Sequence, residues 1–448
     1  PIRSEDRFDD KRTFPLIIAG GPCAVNPKPL AKFIDAFVIG DGEDVIKEII
    51  WTYKEHRGEK REAILEAFNN IEGIYVPFLH SDKRVKRRFV NNLDIAPYPE
   101  APIVPYIQII HDRVAVEVSR GCTRGCRFCQ AGMIYRPLRE RSAENVLSLA
   151  EKALKHTGYD EVSFTSLSIG DYEPLIYVLR AFNRKFSGKH IAISLPSLRV
   201  GAVNREILRE IKSVRKTGFT IAPEAGTDRL RGVINKDFTI EEYIRTLELL
   251  FSEGWRRIKL YFMIGLPTEG DEDIRGIRDM VFEAINIGKR KGLQGINVSV
   301  SAFVPKPHTP FQWLGQLPVD ELRDRQRILK GMLSHKKISF KEQHIPTSVL
   351  EAVCSRGDER IGDVIERAWY RGCRFDGWRE TLKFDKWLSA FDREGIDPYK
   401  YATRTYTHSE KLPWDVVDTG ISKKFLLKEY SMAVEGRFTK DCKISCSG

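Results

Sequence analysis

The stretch Val114-Ala-Val-Glu-Val118-Ser-Arg-Gly-Cys122-Thr-Arg-Gly-Cys126-Arg-Phe-Cys129 decides how the rest of the chain is interpreted. An apolar run typical of a buried strand leads directly into a glycine-containing loop that carries three cysteines. Three thiolates on one loop suit a [4Fe-4S] cluster, because they bind three irons and leave the fourth open to another ligand. Zinc with a fourth ligand from elsewhere and three unrelated thiols are the alternatives, although zinc sites more often use paired C-x2-C units.

Strand-like runs recur beyond this loop and alternate with amphipathic helical stretches. With the first run they are 114–118, 161–167, 191–195, 218–221, 257–263 and 296–303. Six strands with helical crossovers predict an α/β fold, an open or partial (β/α)6 barrel. Ligands of such folds bind at the carboxyl ends of the strands, so the segments that follow each strand form the candidate site.

The flanks of the barrel differ from it in pattern. Residues 1–96 show the strand, glycine turn, helix and strand order of a Rossmann-like domain, and four prolines between 97 and 105 suggest a linker. The barrel is predicted over 97–318, and residues 319–448 are predicted to form a mainly helical extension. Because the chain starts at Pro1 and its first strand-like run begins only at Phe14, we expect the N-terminal domain to be incomplete.

Composition sets the class of protein and its partners. The 448 residues carry a formal charge of +11, from 73 basic and 62 acidic side chains, which could attract phosphate-rich partners such as RNA. The basic cluster 83–88 is the clearest candidate contact, with a solvated basic face as the alternative. No stretch approaches the roughly 20 apolar residues of a membrane helix. The start of the chain lacks the pattern of a signal peptide, so we expect no membrane association and a cytoplasmic location.

The cysteine spacing C-x3-C-x-Φ-C, with Phe128 as the aromatic residue, resembles the signature of the radical S-adenosylmethionine (radical SAM) superfamily. The resemblance extends over about residues 97–318 and implies that Cys122, Cys126 and Cys129 bind the [4Fe-4S] cluster. It further implies that S-adenosylmethionine binds the open iron and is cleaved to methionine and a 5′-deoxyadenosyl radical. An electron donor such as flavodoxin or ferredoxin is then a partner.

The same resemblance implies contacts to S-adenosylmethionine from the segments after successive strands. The candidates are Phe128, Ser166, Ser168, Asp171, Ser197, Arg199, Glu224, Gly265 and Pro267. Asp171 and Glu224 are alternatively N-capping carboxylates of helices, and Arg199 is alternatively part of a surface ion pair. Thr268 stands where the fifth-strand element of the superfamily usually has glycine.

Two glycine-rich turns of the N-terminal region resemble those of cobalamin-binding domains. The candidate contacts are Gly20, Gly21, Gly40, Gly42 and Glu43, and the alternative is a generic α/β edge. An Asp-x-His-x-x-Gly motif is absent from this sequence, which is compatible with truncation, loss of cobalamin or binding without a histidine ligand. If cobalamin is a cofactor, the resemblance implies methyl transfer to an unactivated carbon.

Two rival functions remain open. Methylthiolation or another modification of RNA or a ribosomal substrate is suggested by the basic charge and by the segment Val300–Pro310, which resembles the last strand of radical methyltransferases and methylthiotransferases. Cys442 and Cys446, near the end of the chain, are candidates for a second metal site, which would support this rival. The alternative is that they are incidental thiols. The non-enzymatic alternative is an iron-sulfur protein that binds RNA without catalysis.

Overall fold

The computed structural model describes residues 15–79, 84–195, 198–214 and 218–444. The N-terminal region holds a three-stranded sheet and two helices whose apolar residues pack into one small core that includes Ile49, Leu65 and Phe68. Strands β1 and β2 pair in parallel, and β3 joins β2 antiparallel. The elements are β1 (Ile18–Ala19), β2 (Ala36–Val38), α1 (Val45–Glu55), α2 (Arg61–Asn69), β3 (Ile74–Tyr75) and β4 (Val85–Lys86), with 3-10 helices at Pro22–Val25 and Lys28–Leu30.

The central region alternates strands and helices. Its first part contains β5 (Val114–Glu117), β6 (Ser119–Arg120), α3 (Gln130–Ile134), β7 (Arg139–Glu140), α4 (Ala143–Thr157), β8 (Glu161–Thr165), α5 (Leu175–Phe186) and β9 (Ala192–Ser194), with 3-10 helices at Ile169–Asp171 and Ser187–Lys189. Its second part contains α6 (Arg205–Lys212), β10 (Phe219–Glu224), α7 (Asp228–Ile234), α8 (Ile240–Ser252), β11 (Arg257–Ile264), α9 (Asp271–Lys289) and β12 (Gly295–Ala302). All six predicted strands are therefore present.

The C-terminal region is mainly helical, as predicted. It contains α10 (Val319–Met332), β13 (Ile338–Glu342), α11 (Ile345–Arg356), α12 (Arg360–Tyr370), α13 (Phe384–Arg393), α14 (Pro398–Thr403), β14 (Val417–Asp418) and α15 (Lys423–Val434), with a 3-10 helix at Pro413–Val416. It also contacts the N-terminal region, because β14 pairs in parallel with β4 and Lys28 forms a 2.5 Å ion pair with Glu359. The domain boundaries at residues 96 and 318 stay predictions.

The barrel is open, which agrees with the prediction of a partial barrel. Strands β5, β8 and β9 pair in parallel in that order, as do β10, β11, β12 and β13. Over the described ranges no strand pairing joins β9 to β10 or β13 to β5. The parallel direction brings the carboxyl ends of the strands to one edge, where the cysteine loop follows β5 and β6.

Strand β13 is an addition to the six strands that the sequence predicts for the barrel, and it lies in the region that was predicted to be mainly helical. It pairs in parallel with β12 from Ile338 to Glu342 and forms the edge of its sheet. None of its five residues is fully buried. An edge strand of this kind lacks the continuous apolar run that identifies a central parallel strand in a sequence.

Gly226 allows the turn after β10 to pack directly against helix α9, and this contact yields a stability prediction. A Cβ atom at Gly226 would lie 2.3 Å from the backbone nitrogen of Ile277 and 2.4 Å from the carbonyl oxygen of Asp273. We expect Gly226→Ala to lower the free energy of unfolding by at least about 1–3 kcal/mol, because backbone atoms cannot give way cheaply.

The matched control is Gly331→Ala on α10, where a Cβ atom would meet nothing within 4 Å. We expect this change to be neutral or to stabilise by up to about 1 kcal/mol, since alanine favours helix over glycine. Urea unfolding of both variants measures the difference. Equal stabilities would contradict the backbone contact.

Candidate metal and cofactor site

The three cysteines lie on the loop between β6 and α3. Cys129 is the N-cap of α3, and its Sγ accepts a hydrogen bond from the backbone N–H of Gly132 at 3.3 Å. A turn closes the loop, because the N–H of Cys129 donates to the carbonyl oxygen of Cys126 at 3.1 Å. The loop thus combines a fixed end at the helix with glycines at 121 and 125, both of which have positive φ angles.

The thiols are close enough to affect one another electrostatically. Burial raises the pKa of Cys129 to about 11, and Cys126 and Cys122 add to the shift. Burial likewise raises the pKa of Cys122, with a further contribution from Cys126. Cys122 and Cys129 would therefore be protonated near neutral pH without a metal, and binding of iron would release their protons.

The donor set fits a [4Fe-4S] cluster. Three cysteine thiols without further protein ligands are the number that leaves one iron of a cubane open. Among the described residues, no three His, Cys, Asp or Glu side chains converge as the ligands of a single ion do. In a cubane each thiolate binds a different iron, so the sulfur atoms need not converge on one point.

Arginines of the loop are held by carboxylates from distant segments. Arg120 lies 2.7 Å from Glu43 and 3.2 Å from Asp41, which ties the loop to the second N-terminal glycine turn. Arg124 donates to Asp171 at 2.8 Å and forms an ion pair with Asp441 at 3.1 Å. Both arginines therefore have part of their charge offset by acidic side chains.

Arg127 is the most buried of the three loop arginines, with its side chain fully excluded from solvent. It donates to Glu429 of α15 at 3.0 Å, and the Glu429 side chain is 1% exposed. Further hydrogen bonds reach the carbonyl oxygens of Gly232 at the end of α7 and Arg437 in the C-terminal tail, each at 2.8 Å. One side chain therefore connects the cysteine loop to α7, to α15 and to the tail that follows α15.

The predicted polar loop after β8 is organised around Asp171. The hydroxyl of Ser168 donates to Asp171 at 2.6 Å, and the hydroxyl oxygen of Ser166 accepts from the N–H of Ser168 at 3.1 Å. Burial acts to raise the pKa of Asp171, but hydrogen bonds from Arg124 and Ser168 lower it overall. The Asp171 carboxylate is thus ionised and faces the cysteine loop through Arg124, rather than capping a helix.

Arg199 and Ser197 were predicted to follow β9. Ser197 lies outside the described residues. Arg199 donates to the carbonyl oxygen of Asp237 at 3.5 Å, while its buried Nη1 has no hydrogen-bond partner in the described part of the chain. Its charge acts on Cys122 and Asp171, so this guanidinium lies near the cysteine loop.

Glu224 ends β10 in a strained conformation, with φ of 69° at an irregularity in the pairing with β11. Its carboxylate accepts from Lys236 Nζ at 3.4 Å. Burial raises the pKa of Glu224, and Lys236 acts against that shift. Thr227, not Glu224, is the N-cap of α7, so the helix-capping alternative for Glu224 is excluded.

The remaining candidates lie near the ends of β10, β11 and β12. Phe128 belongs to the cysteine loop, and Gly265 and Pro267 follow β11. Phe128 packs against the cluster that contains Ala225, Leu266 and Phe303. Gly265 has φ of 77° and donates its N–H to the buried carboxylate of Glu269. The segment Gly265–Glu269, which includes Pro267, is thereby folded back on itself beside β11.

The N-terminal glycines lie against the cysteine loop across a shared cavity of about 840 Å³. All five predicted residues line it: Gly20, Gly21, Gly40, Gly42 and Glu43. Ser119, Arg120 and Gly121 of the loop, and Ser166 after β8, line the same space. A Cβ atom at Gly21 or Gly42 would meet nothing within 4 Å, and Glu43 Oε2 is a buried atom with no hydrogen-bond partner in the described ranges.

The sequence of this chain matches two family models and several known proteins. The model of the radical SAM superfamily matches residues 116–281, and that of the N-terminal region of radical SAM proteins matches residues 1–77. An uncharacterized protein of Methanocaldococcus jannaschii is 31% identical over 388 residues, which are 85% of this chain and 80% of that protein. The chain belongs to the radical SAM superfamily. Radical SAM proteins use a [4Fe-4S] cluster, S-adenosylmethionine and an external electron donor.

Two further relatives show how the match extends. The anaerobic magnesium-protoporphyrin IX monomethyl ester cyclase of Cereibacter sphaeroides is 26% identical over 322 residues, 66% of this chain and 46% of that protein. The solved structure of the cobalamin-dependent S-adenosylmethionine radical enzyme OxsB, with aqua-cobalamin and S-adenosylmethionine bound, superposes with a TM-score of 0.50 at 12% identity. This superposition covers 96% of this radical SAM chain and 68% of OxsB, and it shows that the two folds are similar.

Membrane-spanning helices are absent from the described residues, because none of their helices is both long and apolar enough.

Several site residues were not identified from the sequence. Tyr135 lines the shared cavity, and Asp41 links it to buried Arg139 at 2.5 Å. The position of Asp41 between Gly40 and Gly42 is the sequence signal that could have identified it as a partner for nearby arginines. Arg139 and Arg141 are both buried.

The ion pair between Arg127 and Glu429 yields the second stability prediction. Arg127→Ala would leave a buried carboxylate without its counter-charge, so we expect a loss of about 3–5 kcal/mol in the free energy of unfolding. The matched control is Arg278→Ala, which removes an exposed pair with neighbouring Asp279 and should cost less than about 1 kcal/mol. Denaturant unfolding of both variants checks this, and equal costs would refute the anchoring role.

Proposed function

We propose that this protein is a radical SAM enzyme in which Cys122, Cys126 and Cys129 hold a [4Fe-4S] cluster that reductively cleaves S-adenosylmethionine. When bound and reduced, the cluster supplies the electron that splits the sulfonium into methionine and a 5′-deoxyadenosyl radical. The observation that carries the proposal is the position of the cysteine loop, which lies at the carboxyl edge of the parallel strands and follows residues that line the shared cavity. The chain itself contributes binding, orientation and exclusion of water.

Charged groups around the loop suit the ends of S-adenosylmethionine. The buried Nη1 of Arg199 is free to bind the methionyl carboxylate, because a guanidinium pairs with carboxylate oxygens through its N–H groups. Glu224, with Lys236 at 3.4 Å, provides an acceptor for the ribose hydroxyls or the methionyl amine. A further polar group is formed by Asp171, Ser168 and Ser166, and Arg124 holds its carboxylate in place.

The test of this chemistry is the formation of 5′-deoxyadenosine by anaerobically reconstituted protein with dithionite. We expect replacement of Cys122, Cys126 or Cys129 by alanine to abolish the product and the cluster absorbance. Cys354→Ala on α11 is the matched control and should retain both.

Arg199→Ala should raise the KM for S-adenosylmethionine about tenfold or more while the cluster content stays unchanged, since one charged hydrogen bond is worth about 1.5–3 kcal/mol. Wild-type protein with a full cluster and no 5′-deoxyadenosine would overturn the proposal.

We further propose that the shared cavity of about 840 Å³ holds a corrinoid and that the reaction is methyl transfer. The glycines supply backbone surfaces with open space before them, and the unpaired Glu43 Oε2 supplies an acceptor for an amide N–H. When bound, cobalamin carries a methyl group for transfer to carbon. Ser166 and Gly121 line this cavity, so a corrinoid there would lie next to the cysteine loop. The solved structure of OxsB supports the proposal, because aqua-cobalamin is bound there to a protein of similar fold.

Filling the cavity tests the corrinoid site. Gly42 lacks a positive φ angle, and its Cβ would meet nothing, so Gly42→Phe should fold and project a ring into the space. We expect this variant to lose corrinoid after reconstitution with hydroxocobalamin, as measured by visible absorbance, and to keep its iron. Gly331→Phe, on the exposed side of α10, is the control that should bind as wild type. Equal corrinoid content in both variants would refute this location.

Methylthiolation is a second candidate, favoured by the position of Cys442. The N–H of Cys442 donates to the carbonyl oxygen of Thr123 at 3.1 Å, which brings a fourth cysteine beside the cluster loop. Cys446 lies outside the described residues. Reconstituted protein with two clusters and no corrinoid would favour this candidate over methyl transfer, whereas one cluster with stoichiometric corrinoid would exclude it.

A further inference from the structure

A second cavity, of about 770 Å³, lies on the other side of the cysteine loop. Cys122 and Thr123 form its wall on the loop, and Phe425 of α15 and Cys442 of the C-terminal tail line it from the C-terminal region. The segment after α3 separates the two cavities, since Tyr135 lines the first and Arg136 lines the second. A cluster ligand can therefore be approached from a side that is distinct from the glycine-lined cavity.

The second cavity is strongly basic. Four cationic side chains line it: Lys86, Arg87, Arg136 and Lys443. Glu140 is the one acidic residue among the described lining residues, and it lies 3.7 Å from Lys443. Lys86 and Lys443 are exposed, so their charges extend to the surface around the opening. Apolar walls complete the site, with the Arg136 guanidinium 5.7 Å from the ring centroid of Phe425.

Arg87 contributes an unused hydrogen-bond donor to this basic cavity. It is 5% exposed, it donates to the carbonyl oxygens of Arg136 and Thr419, and its guanidinium lies 5.0 Å from the ring centroid of Phe89. Its buried Nη1 has no hydrogen-bond partner in the part of the chain that the structure describes. A buried guanidinium with an unused donor is costly, and a carboxylate that enters the cavity would satisfy it.

We propose that this basic cavity is the docking surface for an acidic one-electron carrier protein of the flavodoxin or ferredoxin class. The inference rests on the proposed radical SAM function, because only a reducible cluster requires the carrier. Acidic side chains of the carrier complement the four cations and steer its approach, and apolar contacts form the centre of the interface. One electron passes from the reduced carrier to the cluster at the Cys122 side, which oxidises the carrier, reduces the cluster and breaks no bond.

The first test measures binding and needs no catalysis. Oxidised flavodoxin is titrated into the full chain by calorimetry at low salt, for wild type and for Lys86→Glu/Lys443→Glu. We expect the double variant to bind at least about tenfold more weakly, and wild-type affinity to fall as salt rises. The matched control, Lys289→Glu/Lys291→Glu, makes the same change in net charge on another basic surface and should bind as wild type.

The second test separates docking from chemistry. With reduced flavodoxin as donor, Lys86→Glu/Lys443→Glu should need about tenfold more donor for half-maximal formation of 5′-deoxyadenosine. With dithionite, which needs no docking surface, all variants should react at the wild-type rate. If dithionite gives no product from wild type, the proposed function fails, while the binding titration still decides the location of the surface.

Two results would overturn the docking proposal. One is equal flavodoxin binding by the double variant and wild type. The other is a double variant that loses binding to a single-stranded RNA oligonucleotide but keeps its flavodoxin affinity, which would assign the basic cavity to nucleic acid.

Discussion

The ion pair between Arg127 and Glu429 joins the cysteine loop to the C-terminal helix α15 in a place that water does not reach. Two buried charges are tolerated only when each is paired and hydrogen-bonded, and here the guanidinium also donates to backbone carbonyls of α7 and the C-terminal tail. Arg127 can be buried only when all of these partners are in place. The cysteine loop therefore reaches its position only when α7, α15 and the C-terminal tail are packed against it. The geometry of three potential iron ligands thus depends on a residue between two of them.

The other two loop arginines also form ion pairs with acidic residues of distant segments. Arg120 pairs with Asp41 and Glu43 of the N-terminal region, and Arg124 pairs with Asp171 after β8 and with Asp441 of the tail. The loop is therefore held by charge on three sides. Carboxylates therefore offset the cations close to the thiols, and these arginines serve to position the loop. Arg199, whose charge acts on Cys122, has a buried Nη1 without a hydrogen-bond partner among the described residues, and an anionic group of a ligand can bind there.

The sequence predicted the parts of the fold that have local signals. The six central strands are short apolar runs followed by helices, and their pattern identifies them without knowledge of their partners. Strand β13 was missed because its residues are half-exposed at a sheet edge. The cysteine spacing is likewise local, as are the glycine turns that line the first cavity. By contrast, Arg127 and Glu429 are 302 positions apart, and nothing in either neighbourhood indicates the other. The same holds for Thr123 and Cys442, whose contact appears only once the tail folds over the loop.

The division of the loop surface has a functional consequence. On one side, glycines and the unpaired Glu43 Oε2 suit a large amide-bearing ligand. On the other side, cations surround the Arg87 guanidinium, whose Nη1 has no hydrogen-bond partner in the described ranges. A radical enzyme must exclude water and stray reductants from the space where its radical forms, yet it must receive an electron for each reductive cleavage. The docking proposal meets both requirements, because a carrier at the basic cavity would approach the cluster from the side of Cys122 and leave the glycine-lined cavity to the proposed corrinoid. The segment from Tyr135 to Leu138, which borders both cavities, is the partition that makes this separation possible.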